Sequence, residues 1–157
     1  MKVWIIHDSK FGNGKSLAET MGNVFREKME VKIGHVKEIK PHLVAKDKPK
    51  LIVVGTAIRA FSTSMASKMW IRRLKKELRK ENYIIPFGVV FITHSMKKER
   101  AQFWGKRFHS ILDRGIAIGE VYPDWLSGKV NTVEGPLADG VIEEFILISK
   151  QILSNID

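Results

Sequence analysis

Apolar positions along this chain follow two periods in turn. Lys2 to Ile6, Leu51 to Val54 and Phe87 to Ile92 are short apolar runs, and Val31 to Val36 alternates weakly; each predicts a strand. Between them, apolar residues recur at helical spacing. Leu17, Met21, Val24 and Phe25 form one such stripe, and Met65, Met69, Leu74 and Leu78 a second. Ala101, Trp104, Phe108, Ile111 and Leu112 form a third, and Val141, Phe145, Ile148 and Ile152 a fourth. Gly115 is expected to end the third helix, leaving Ile116 to Tyr122 as a fifth strand. Pro86 stands at the start of its strand, where a missing N–H does least harm. Pro41 and Pro49 bracket a plain connection, and Tyr122 to Pro136 reads as an irregular loop of about 15 residues, a length often tied to function.

Alternation of this kind predicts an α/β fold, a parallel sheet with helices on both faces, in a single domain spanning 1–157. No internal repeat or linker divides it. With 157 residues the chain buries about two-thirds of its unfolded surface in a real core. The absence of cysteine excludes disulfides, thiolate chemistry and cysteine metal sites, and fits a reducing cytoplasm. No signal peptide is visible, and no apolar run reaches the ~18 residues of a membrane span. His7, His35, His42 and His109 are scattered without ligand spacing, so no metal site is expected.

Charge changes the picture. The formal net charge is +10, concentrated in Arg72 to Lys80 and in Lys97, Lys98, Arg100, Lys106 and Arg107. An excess of this size predicts attraction to an acidic protein or an anionic membrane surface. Nucleic acid is the less expected partner, because no basic and aromatic residues interleave along the sequence as they do in single-strand binders.

In open α/β sheets, ligands sit beyond the carboxyl ends of the strands. Three loops therefore draw the chemistry: His7 to Lys15, Gly55 to Ser64, and Thr93 to Lys97. The first joins a strand directly to a helix, so backbone N–H groups are left open at the positive end of the helix dipole, a site for phosphate. Gly14-Lys15-Ser16 has the ending of a triphosphate loop, yet position 9 is Ser9 and not glycine. The runs ending at Gly55-Thr56 and Thr93-His94 also lack the carboxylate that would hold magnesium. Gly12 and Gly14 alone do not make a dinucleotide fingerprint, and the second strand is followed by Lys37 before Glu38. No GxSxG elbow is present.

The run Asp8-Ser9-Lys10-Phe11-Gly12-Asn13, with its following helix, resembles the FMN phosphate loop of flavodoxins. Their pattern is Ser/Thr-x-Thr-Gly-x-Thr after the first strand; Phe11 and Gly14 stand here where hydroxyls are usual. The resemblance covers the whole chain. It implies a three-layer, doubly wound, five-stranded parallel sheet of order 2-1-3-4-5, with FMN as cofactor. The segment Val53 to Arg59 is also similar to a motif of the flavodoxin-like subgroup that includes menaquinone-dependent protoporphyrinogen oxidase.

The resemblance implies cofactor contacts from Ser9, Lys10, Phe11, Gly12, Asn13, Gly14, Lys15 and Ser16 in the first loop. In the second it implies Thr56, Ala57, Ile58, Arg59, Ala60 and Phe61, and in the third Thr93, His94, Ser95 and Met96. Phe61 would stack on the flavin or anchor the loop, Arg59 would bring positive charge, and His94 would couple proton to electron transfer or serve structure. Trp104 and Phe108 are expected in the core, while Trp125 would cap the flavin, meet a quinone or pin its loop. The functional expectation is a cytoplasmic redox protein, peripheral to a membrane if its partner is there, acting as electron carrier or small oxidoreductase. The alternatives are a quinone-linked enzyme and a non-redox binding module.

Overall fold

The computed structural model describes residues 1–60 and 62–156. In chain order the elements are β1 (Lys2–His7), α1 (Asn13–Phe25), β2 (Glu30–His35), α2 (Pro41–Asp47), β3 (Leu51–Arg59) and β4 (Ser62–Thr63). They continue with α3 (Met65–Lys80), β5 (Ile85–His94), α4 (Lys98–Asp113), β6 (Ile118–Val121), β7 (Leu126–Lys129) and α5 (Val141–Ile156). The sheet runs β2-β1-β3-β5-β6, all parallel. This is the expected order, once β4 is set aside as a short antiparallel return on β3.

The strands are buried on both faces because their side chains alternate between two cores. Ile6, Ile52, Val54, Val90 and Ile92 pack with Val44, Trp70, Leu74, Leu78, Phe108 and Leu112, from α2, α3 and α4. Val3, Ile5, Val53, Val89 and Phe91 pack with Leu17, Met21, Phe25, Phe145 and Ile152, from α1 and α5. Among the described residues, no helix is long and apolar enough to cross a membrane.

Three expectations are corrected. The connection from Pro41 to Pro49 holds a helix, α2, with Pro41 in its first turn and Val44 and Ala45 buried. Seven residues are too few to show a periodic stripe. Asp47, where α2 ends, accepts from Lys2 Nζ (2.9 Å), Trp4 Nε1 (2.8 Å) and Lys32 Nζ (3.0 Å), tying α2 to β1 and β2.

The inward stripe of α3 is Ser67, Trp70, Ile71, Leu74 and Leu78, whereas Met65 and Met69 are 64% and 39% exposed. At about 100° per residue, Met69 lies roughly 140° round the helix from Leu74, and Met65 about half a turn.

The long loop also contains a strand. β6 lies along the first half of β5 (Phe87 opposite Glu120), and β7 lies along its second half (Ile92 opposite Ser127). The fifth strand is thus split in two by Tyr122 to Trp125. Ile116, expected in this strand, is exposed and precedes it.

Candidate functional site

β1 ends against Asp8, and the chain turns through Ser9 to Gly12 before α1 begins. Gly12 is the N-cap of α1 with φ of 94°, a left-handed conformation that glycine adopts without strain. Ser9 Oγ accepts from the Gly12 N–H (3.0 Å), and the Ser9 N–H donates to His7 Nδ1 (3.2 Å). The first helical bond runs from the Ser16 N–H to Gly12 O (2.9 Å). The amides of Asn13, Gly14 and Lys15 therefore have no acceptor within the helix, and no acidic residue occupies its first turn. Ser9 keeps its hydroxyl proton for donation. Together these donors form a cradle for one anionic group. Gly14 packs on Ser9, with room for a Cβ 3.4 Å from Ser9 Cβ.

Beneath the loop lies the buried Asp8 carboxylate. Its Oδ2 accepts from Thr56 Oγ1 (2.5 Å) and Ser67 Oγ (2.7 Å), so three elements meet on one oxygen. Arg59 donates to Asp8 O (2.7 Å) and lies 3.6 Å from Asp8 Oδ1. The Thr56 hydroxyl is thus engaged in holding Asp8.

A narrow cleft opens beside the cradle. Ser9, Lys10, Phe11, Asn13 and Gly14 line one end. Ala57, Ile58 and Arg59 line a second side, Thr93, His94 and Ser95 a third, and Val130 and Val133 the fourth. Eleven of the expected residues are brought together in this way. Gly12 and Lys15 face a neighbouring groove between α1 and β2, with His7 and His35. Ala60 and Met96 face another groove, which leads to Lys97 and Arg100. Ser16 lies half-buried in the first turn of α1, its carbonyl accepting from Thr20 Oγ1 (2.9 Å). Phe61 lies outside the described residues.

The split fifth strand braces the third loop. His94 Nε2 meets Ser127 Oγ at 2.7 Å, and Nδ1 meets Met96 O at 3.1 Å. A carbonyl only accepts, so Nδ1 carries the proton and Nε2 accepts from Ser127. Burial lowers the His94 pKa, with Lys129 adding to the effect, and the ring is neutral at pH 7. His94 is therefore a brace with both nitrogens engaged. Lys129 Nζ donates to Met96 O and to Ser95 O (3.2 Å), fixing the same turn. Trp125 is buried, edge-on to His94 with ring centroids 5.7 Å apart, and seated on Gly105 of α4. Among its three expected roles, it pins the loop. Phe108 is fully buried, whereas Trp104 is half-buried at the edge of the core.

Sequence reasoning did not single out Asp8, Ser127, Lys129, Val130 or Val133. One signal was present: Leu126, Gly128 and Val130 alternate with the polar Ser127 and Lys129, the period of a strand. Beyond β7, a Cβ on Gly135 would lie 2.8 Å from Asn13 Oδ1, so the 130–137 segment closes directly onto the cradle.

No family model and no curated protein matches the chain. Solved structures do. The rubredoxin:oxygen oxidoreductase of the anaerobe Desulfovibrio gigas superposes with a TM-score of 0.76 at 17% identity, over 99% of this chain and 36% of that one. The chain therefore spans about a third of that protein. A Streptococcus pneumonia flavodoxin matches with a TM-score of 0.72 at 11% identity, covering 99% of both chains. Oxidised flavodoxin 1 from Bacillus cereus matches with a TM-score of 0.69 at 13% identity over 100% of both. The fold is flavodoxin-like.

Proposed function

We propose that the chain is an FMN-binding redox protein of the flavodoxin kind, an electron carrier or small oxidoreductase. The observation that carries this reading is the open amide cradle at Ser9 to Lys15, free of acidic residues, at the mouth of a cleft lined by both polar and apolar side chains. The donors of the cradle suit a monophosphate, and the apolar side chains Ala57, Ile58, Val130 and Val133 along the cleft suit a planar ring system. When bound, FMN supplies one- and two-electron transfer through its ring.

The protein's own part is to bind and position. Ser9 and the amides of Asn13, Gly14 and Lys15 would hold the phosphate, while Lys10 and Lys15 add positive charge without hydroxyl geometry. The turn at Thr93 to Ser95, fixed by Ser127 and Lys129, would present its backbone to the ring. Arg59 serves the cradle from below through Asp8. His94 holds the turn in shape through both ring nitrogens.

Titration of the purified protein with FMN, followed by flavin fluorescence and absorbance, tests the reading. One equivalent bound, with a perturbed visible spectrum, is the expected result. Failure to bind FMN at millimolar concentration would overturn it and favour the non-redox binding module, in keeping with the missing hydroxyls at Phe11 and Gly14.

A further inference from the structure

We propose that the adjoining outer faces of α3 and α4 are the docking surface for an acidic protein partner. Charge is the first argument. α3 carries seven lysines and arginines against one acid, and α4 four against two, so two neighbouring helices hold eight of the ten net positive charges. Arg107 and Arg72 both lie close enough to Lys68 to act on it: the Lys68 pKa is lowered by burial, then by Arg107 and Arg72. Among the described residues none of these three has an ion-pair partner. Lys75 is engaged, donating to Ile111 O and to Arg114 O (2.6 Å) and clasping the two helices together. Like charges gathered in this way raise the local potential and favour an anionic occupant.

The chemistry between the charges selects protein. On α3, Met65, Lys68, Met69 and Arg72 follow i, i+3, i+4, i+7, which is one face of a helix. On α4, Arg100, Phe103, Trp104 and Arg107 repeat that spacing. Met65 is 64% exposed, Met69 39% and Phe103 56%. Arg107 sits over the Phe103 ring at 5.3 Å and the Trp104 ring at 6.0 Å. Methionine, aromatic and arginine side chains are the types enriched in protein interfaces, whereas nucleic-acid interfaces are much more polar. A membrane-surface helix separates its apolar and cationic faces, and here they are interleaved.

Position adds a third argument. Both stripes begin in the first turns of their helices, beside the carboxyl ends of β3 and β5. A groove lined by Ile58, Ser95, Met96, Arg100 and Val133 joins this face to the cleft. Docking does not depend on FMN; only its meaning as an electron-transfer contact rests on the cofactor proposed above.

Trp4, Trp70 and Trp125 are buried, so Trp104 is the indole whose surroundings docking on this face would alter. The full chain, with and without FMN, would be titrated at low salt with a synthetic amphipathic peptide of glutamate and leucine, with an oligo(dT) strand, and with vesicles containing phosphatidylserine. The peptide is expected to bind and shift the emission. Affinity should fall about tenfold or more in Lys68→Glu/Arg72→Glu/Arg107→Glu and in Met69→Ser/Phe103→Ser. Lys46→Glu/Lys150→Glu, on α2 and α5, should change it less than about threefold. Circular dichroism establishes that each variant is folded. The proposal is overturned by absence of peptide binding, by equal loss in the α2/α5 control, or by tighter binding of oligo(dT) or vesicles. FMN binding is read separately, so failure of one reading leaves the other standing.

Discussion

Arg59 and Asp8 lock the first two loops together: the guanidinium donates to the Asp8 carbonyl at 2.7 Å and sits 3.6 Å from its carboxylate. The same carboxylate accepts from the hydroxyls of Thr56 and Ser67. Asp8→Ala leaves both hydroxyls without their acceptor, in surroundings where Thr56 and Ser67 are buried. The expected loss is about 2–4 kcal/mol in urea unfolding. Asp8→Asn, which keeps the shape and one acceptor, is expected to lose less.

Ser9 sits on the cradle itself. Ser9→Ala removes both the acceptor for the Gly12 N–H and the free hydroxyl, so FMN affinity should fall about tenfold. Stability should change by less than ~1 kcal/mol, because the site is solvent-exposed at Gly12. Unfolding and flavin titration, run side by side, separate the two effects.

Gly105 is required by close approach. A Cβ there would lie 2.2 Å from the indole of the buried Trp125, so one of the two must move. Gly105→Ala should destabilise by about 1–3 kcal/mol, measured as a lowered Tm. Trp125→Leu makes space for the methyl, so the double variant should lose less than the sum of the two single ones.

Acid should weaken the fold through two imidazoles. Burial lowers the pKa of His7, with His35 adding to it, and burial with Lys129 lowers that of His94. In both, the unfolded state binds protons more readily than the folded one, so stability rises with pH. It is complete above the ordinary histidine value near 6.5 and is lost as pH falls through the lower folded values. The urea midpoint should therefore be lower at pH 5.5 than at pH 7.5, and His94→Gln should flatten the difference.

Asp47 acts at lower pH. Burial alone would raise its pKa, but hydrogen bonds from Lys2, Lys32 and Trp4 bring it down to about 2. Its contribution is present above the ordinary value of 3.8 and is lost as pH falls towards 2. Asp47→Asn should remove this part of the acid transition, followed by circular dichroism.

What was legible in the sequence is what has a period or a cap. β1, β3 and β5 are apolar runs because both faces are covered, and the loop at Ser9 to Asn13 stands out for its small residues between a strand and a helix. α2 was not legible, for it has seven residues and Leu43, on its outer side, is exposed. β7 was hidden by its brevity and its setting among Pro123, Gly128 and Gly135. The α3 stripe misled because methionine is as apolar on an outer face as on an inner one. In the site, backbone amides and loop neighbours were readable from Ser9 and Gly12. The Asp8 network was not, because its partners Thr56, Arg59 and Ser67 are 48 to 59 residues away.

The Gly135–Asn13 contact joins positions far apart in the sequence. Val130 and Val133 complete a cleft whose first wall is Ser9. During synthesis the cradle leaves the ribosome early, yet its fourth wall emerges only after β7. A chain halted before residue 130 has the strand and helix of an anion site and no enclosed cleft. Closure of the cleft therefore waits until residues 130–137 have joined the cradle that was made first.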